Sequence, residues 1–143
     1  MELLNLTWQD VDLKRGVITL HETKNGERRI LPLTGHALDL MREHAKIRRI
    51  DTPLVFPGYD GKAPRDIRTA WEHVVKRADI PNFCFHDLRH SAASYLAMNG
   101  ASLAEIAEVL GHKTLAMVKR YAHLSEAHMA GVVARMNQAI FGQ

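Results

Sequence analysis

Two short runs near the start of the chain, Val17-Ile18-Thr19-Leu20 and Arg29-Ile30-Leu31-Pro32-Leu33, are rich in β-branched and apolar residues and predict strands. They are joined through Lys24-Asn25-Gly26-Glu27, and Asn-Gly is a strong hairpin signal because both positions tolerate positive φ. Lys24 is therefore expected at a hairpin tip. Thr34 reads as the cap of a helix running to about Arg49. Leu54-Val55-Phe56 reads as a short strand closed by Pro57-Gly58. Pro64 suits the first turn of a helix that reaches about Asp79, with Pro81 after it.

The remainder is patterned for helices. One is expected from about His86 to Asn99, stopped by Gly100, with Leu88, Ala92 and Tyr95 as its core-facing side. Ser102-Leu103-Ala104-Glu105 is a capping box that opens a helix with Leu103, Ile106, Ala107 and Leu110 on one face. Gly111 ends it. A further helix is expected from near Thr114 to Tyr121, and a last one over about Ser125 to Ile140. The pattern predicts an α+β fold, mostly α-helical, with a small antiparallel β-sheet near the N-terminus packed against a helical bundle. No repeat or linker interrupts it, so residues 1–143 are expected to form a single domain. The opening segment Met1-Glu2-Leu3-Leu4-Asn5-Leu6 has the look of the end of an apolar helix without its cap, which predicts residues upstream of Met1.

Composition narrows the class without choosing a function. The 143 residues are 46% hydrophobic and 24% charged, ordinary for a water-soluble globular protein. Nineteen Lys and Arg against 16 Asp and Glu give a net charge of +3, and the pI near 9.2 leans toward a polyanionic partner. Nine histidines exceed what packing alone needs. Cys84 is the single cysteine, which excludes an internal disulfide and fits a reducing interior; it is expected to be a small core residue. No apolar run is long enough to span a membrane and no signal peptide opens the chain, so a cytoplasmic location is expected.

The chemistry is concentrated in the second half. Phe85-His86-Asp87-Leu88-Arg89-His90 precedes Leu110-Gly111-His112 and Arg120-Tyr121-Ala122-His123. Breaking a phosphodiester needs positive charge on the non-bridging oxygens, a nucleophile, and a proton donor for the leaving oxygen. A guanidinium, imidazoles and a phenol can meet those needs. His86 and Arg89, three apart, share one side of a helix, where they form either an anion grip or an ordinary solvated face. His86 and His90 also have the spacing of a zinc helix, but Asp87 is short for the catalytic glutamate and Arg89 would set a fixed cation beside a dication. His112 follows a helix break, Tyr121 is either core filling or a nucleophile, and Lys24 is either a solvated turn lysine or a proton donor. Residues 102–121 also have the cadence of a helix-turn-helix, which makes a non-catalytic DNA-binding module the alternative. The second helix, with Leu115, Ala116, Met117 and Val118, offers little polar surface for reading bases.

Taken together these segments resemble the catalytic domain of a tyrosine recombinase, the phage-integrase family. Glu2 to Asp12 is similar to the family's opening helix and turn. Thr23-Lys24-Asn25-Gly26 with Arg29-Ile30-Leu31-Pro32-Leu33 is similar to its lysine-bearing hairpin. The His86–His90, Leu110–His112 and Arg120–Leu124 segments resemble its later motifs in the same order. The resemblance implies a DNA breaking-and-rejoining enzyme acting in site-specific recombination, without metal or cofactor. Tyr121 would attack the scissile phosphate and form a 3′-phosphotyrosyl link, and Lys24 would protonate the departing 5′-hydroxyl. Arg89, His86 and His112 would hold the phosphate. The implied partners are double-stranded DNA and further copies of the chain, a tetramer for the full-length parent and a monomer or weak oligomer for a fragment. A C-terminal segment of about 125–143 would dock on a neighbouring copy. The family carries a further arginine just ahead of the position matched by Glu2, upstream of Met1. Its absence implies a truncated chain, since one lost electrostatic donor costs on the order of 10²–10³-fold in rate.

Overall fold

Three antiparallel strands, β1 (Val11–Asp12), β2 (Val17–His21) and β3 (Arg28–Pro32), lie side by side in that order. The computed structural model describes residues 2–21, 28–112 and 114–142. Backbone contacts divide the chain into two compact units, Met1–Val74 and Val75–Gln143. Each is described in turn.

In the first unit the β1–β2 turn is fixed by Asp12, whose carboxylate accepts from the backbone N–H groups of Lys14 and Arg15 at 3.0 and 2.9 Å. Gly16 follows with φ +64°, and a Cβ there would lie 2.7 Å from the Leu33 carbonyl oxygen, so the close approach of β3 requires glycine. In the β2–β3 ladder Ile18 faces Leu31 and His21 faces Arg28. Lys24 and the Asn25-Gly26 pair lie outside the described residues.

Helix α1 (Gly35–Lys46) sends Leu38 and Met41 onto a core of Leu6, Ile18, Leu33 and Val55. The strand expected at Leu54–Phe56 is reduced to a single bridge, Thr7 to Leu54, with the Val55 N–H donating to the Leu6 carbonyl at 2.9 Å. Pro64 does not open a helix. It pairs with Pro57, the Arg65 N–H bonds the Phe56 carbonyl, and that extended backbone delays α2 to Arg68–Arg77. The Asp66 carboxylate takes the Arg68 N–H at 2.9 Å. Its hydrogen bonds from the Arg68 side chain and backbone hold it at about 2, below the usual carboxylate range.

The second unit contains α3 (Asp87–Met98), α4 (Leu103–Leu110) and α5 (Glu126–Phe141). Its core is Ala93, Ala97, Ile106, Ala107, Leu110, Val118 and Tyr121. Helix α4 matches its pattern: Ser102 Oγ accepts from the Glu105 N–H, the Glu105 carboxylate accepts from the Ser102 N–H, and Gly111 closes the helix at φ +70°. Helix α3 is turned from its expected orientation. Leu88, Ala92 and Tyr95 are exposed, while Ala93 and Ala97 are fully buried. Small side chains let α3 approach its neighbours closely, and that close packing outweighs the larger apolar residues on the other side.

Residues 114–121 form no α-helix. Two 3₁₀ segments, Leu115–Met117 and Lys119–Ser125, occupy the region. Val118 and Tyr121 are buried and Leu124 packs on the same core. A spacing of three keeps such residues on one side of a helix with three residues per turn, whereas an α-helix would carry each step about 60° off that line. The recognition helix of the helix-turn-helix alternative is therefore missing. Cys84 is exposed rather than core, because it lies in the turn that enters α3. Helix α5 is placed partly by His128, whose ring lies where a Cβ on Gly100 would be, 2.4 Å away at its nearest atom. Among the described residues no helix is long and apolar enough to cross a membrane.

Candidate active site

The entry to α3 sets the first two candidate residues. The Asp87 carboxylate accepts the Cys84 N–H at 2.7 Å, and the Asp87 N–H returns a bond to the Cys84 carbonyl at 2.9 Å. This closed turn places His86 immediately before the helix, where it is exposed. Arg89 and His90 follow one turn later, in line with Ala93 and Ala97. The polar positions of α3 thus continue its buried side rather than opposing it. Both are half-buried.

That orientation gives each a partner across the unit. The Arg89 guanidinium donates to the carbonyl of Leu110, the last residue of α4. A planar cation held in this way keeps further N–H groups for an anion. His112 follows at the Gly111 turn, half-buried, with its N–H donating to the Ala107 carbonyl at 2.8 Å. The same helix end therefore carries His112 and anchors Arg89.

Tyr121 is 7% exposed, its ring in the core with Ile106 and Val118. Its hydroxyl lies 2.6 Å from His90 Nδ1. The His86 ring meets the His90 ring edge-on at 5.4 Å between centroids. In the sequence His90 stands out only by its zinc-helix spacing from His86. The signal that marks it is its place one turn before Ala93–Ala97, which puts an imidazole on a packed face where it needs a hydrogen-bonding partner. No group of three or more metal-ligating side chains is found among the described residues.

The second unit thus brings Arg89, His90, Tyr121 and the 110–112 turn into one connected arrangement, with His86 at its margin. Lys24 lies outside the described residues. Chemically, the arrangement offers a fixed cation, imidazoles and a phenol hydrogen-bonded to one of them, a set suited to nucleophilic attack on a phosphodiester.

The chain is similar to known proteins. A family model described as the phage integrase family matches residues 1–128. The chain is 36% identical over 126 residues to the shufflon-specific DNA recombinase of Escherichia coli, covering 86% of this chain and 30% of that protein. It is 31% identical over 157 residues to the integrase of Salmonella phage P22, covering 98% of this chain and 39% of the relative. The chain thus spans well under half the length of these relatives. Among solved structures it is similar to the catalytic domain of bacteriophage HP1 integrase, with a TM-score of 0.66 and 28% identity over 99% of this chain and 76% of that one. It shares its fold with XerA recombinase, at a TM-score of 0.72 and 24% identity over 94% of this chain and 52% of that one.

Proposed function

The chain belongs to the phage integrase family, and from that premise we propose that it forms the catalytic part of a site-specific DNA recombinase whose nucleophile is Tyr121. The observation that carries the assignment is the buried Tyr121 hydroxyl, 2.6 Å from an imidazole on the helix that also bears Arg89. A buried tyrosine hydroxyl needs a hydrogen-bonding partner, and here that partner is an imidazole next to the Arg89 guanidinium, a setting suited to a nucleophile.

In this reading Tyr121 Oη attacks the scissile phosphorus of double-stranded DNA and forms a 3′-phosphotyrosyl link. Arg89 neutralises the non-bridging oxygens as charge builds on them, with His86 and His112 as further donors. Lys24 gives a proton to the departing 5′-oxygen. The phosphotyrosine conserves the energy of the broken linkage, so a 5′-hydroxyl from another strand reverses the step. No metal is required by this chemistry, since side chains supply the positive charge and the protons. The reaction is placed in the cytoplasm, on cellular or phage DNA.

Several copies act together in this proposal. Helix α5 exposes Met129, Val132, Val133, Met136 and Ile140, which recur at helical spacing along one stripe. That stripe is suited to docking on a neighbouring copy in a DNA-bound tetramer.

The test is covalent trapping. The full-length gene product is mixed with a pool of nicked duplexes of randomised sequence, in which cleavage releases a short strand and prevents religation. The expected result is a covalent protein–DNA adduct that Tyr121→Phe abolishes while DNA binding persists. An adduct that survives this substitution refutes the assignment of Tyr121.

A further inference from the structure

The catalytic set implied by the resemblance leaves the phenol proton without a destination. Arg89 cannot accept it, because a guanidinium stays charged. Lys24 is assigned to the leaving oxygen, and His86 and His112 to the phosphate. The structure puts a different group at the hydroxyl: His90 Nδ1, at 2.6 Å.

We propose that His90 is the general base of strand cleavage, taking the Tyr121 proton as the phenol oxygen bonds to phosphorus. This rests on the reading of Tyr121 as nucleophile. The geometry meets the first requirement of a base, contact within hydrogen-bonding reach of the proton it removes. Burial adds the second. At 7% exposure Tyr121 has little water to receive its proton, and a phenolate formed there without an adjacent acceptor would be strongly disfavoured. The acceptor is also well fixed. His90 lies on the packed side of α3 beside Arg89, which is tied to the Leu110 carbonyl, and the His86 ring bounds it on the preceding turn.

The step balances. The Tyr121 Oη–phosphorus bond forms, and the bond from phosphorus to the 5′-oxygen breaks. The phenol proton passes to His90 Nδ1, and the leaving oxygen takes its proton from Lys24. In rejoining, His90 returns the proton to the departing phenolate. His90 thereby acts at the nucleophile and Lys24 at the leaving group, and the two roles separate experimentally.

Two measurements test the proposal. Imidazole ¹⁵N NMR on the unmodified chain at neutral pH should show His90 Nδ1 without a proton, as the acceptor of the phenol hydrogen; a protonated Nδ1 overturns the proposal. Adduct formation on the nicked duplex pool should fall on the order of 10²–10⁴-fold in His90→Asn, whose amide oxygen can bond the phenol but cannot take its proton. A bridging sulfur in place of the 5′-oxygen leaves without protonation, so it should rescue Lys24→Ala and leave His90→Asn slow. A His90→Asn variant that cleaves at the unmodified rate, or that sulfur rescues, overturns the proposal while the nucleophile assignment stands. If Tyr121→Phe still forms the adduct, or the unmodified protein forms none, the underlying reading fails and the proposal with it.

Discussion

Ile106 is the largest of the fully buried side chains, at 0% exposure, and it shares its core with Tyr121, Val118 and the alanines of α3. Replacing it by alanine removes three carbons. At ~0.8 kcal/mol for each buried carbon, the loss of transfer free energy is about 2.4 kcal/mol. The alanines opposite cannot grow to fill the gap, and the surrounding turns are tied by hydrogen bonds, so most of the cavity should persist. The expected total is about 3–4 kcal/mol, within the usual range for isoleucine-to-alanine changes. Urea unfolding followed by circular dichroism is the appropriate assay. Both tryptophans, Trp8 and Trp71, belong to residues 1–74, so tryptophan emission reads the other unit. The midpoint should fall while the slope with denaturant stays constant. A loss below about 1 kcal/mol at constant slope would refute the close packing between α4 and the Tyr121 turn.

Other outcomes follow from the same geometry. Ser102→Ala should cost about 1 kcal/mol by removing the oxygen that accepts the Glu105 N–H. The reciprocal bonds to Ser102 hold Glu105 below the usual carboxylate range, so its stabilising contribution is present above the ordinary glutamate pKa and is lost as pH falls through its lowered one; melting temperatures of Glu105→Gln and the unmodified chain should therefore converge in acid. Gly100→Ala should destabilise the second unit, since the residue has φ +93° and the new methyl would strike His128; hydrogen exchange in α5 should rise, and unchanged protection would show that His128 does not hold the helix. Arg89→Lys keeps the charge but lacks the forked donor set, so adduct formation should drop on the order of 10²-fold or more with DNA binding largely retained.

Much of this arrangement is legible in the sequence where local chemistry and burial agree. Helix α4 has a capping box, an apolar face at i, i+3, i+4 and i+7, and a terminal glycine, and it folds as those signals dictate. Reading fails where packing overrides local preference. Leu88 and Tyr95 carry more apolar area than Ala93 and Ala97, yet the alanines are buried because close approach of α3 needs small residues. The segment after Thr114 contains helix-forming residues, but Val118, Tyr121 and Leu124 share a side only in a tighter helix. His90 lies in line with those alanines, and that clue exists only once the orientation of α3 is known.

The bond from Arg89 to the Leu110 carbonyl carries an evolutionary consequence. That carbonyl belongs to the final residue of an eight-residue helix whose start is fixed by its own cap. Adding or deleting a single position within 103–110 would rotate the acceptor about 100° around the axis. Descendants of this gene can exchange the exposed residues there, such as Ala104 and Glu108, but the spacing between serine and glycine should resist insertions and deletions.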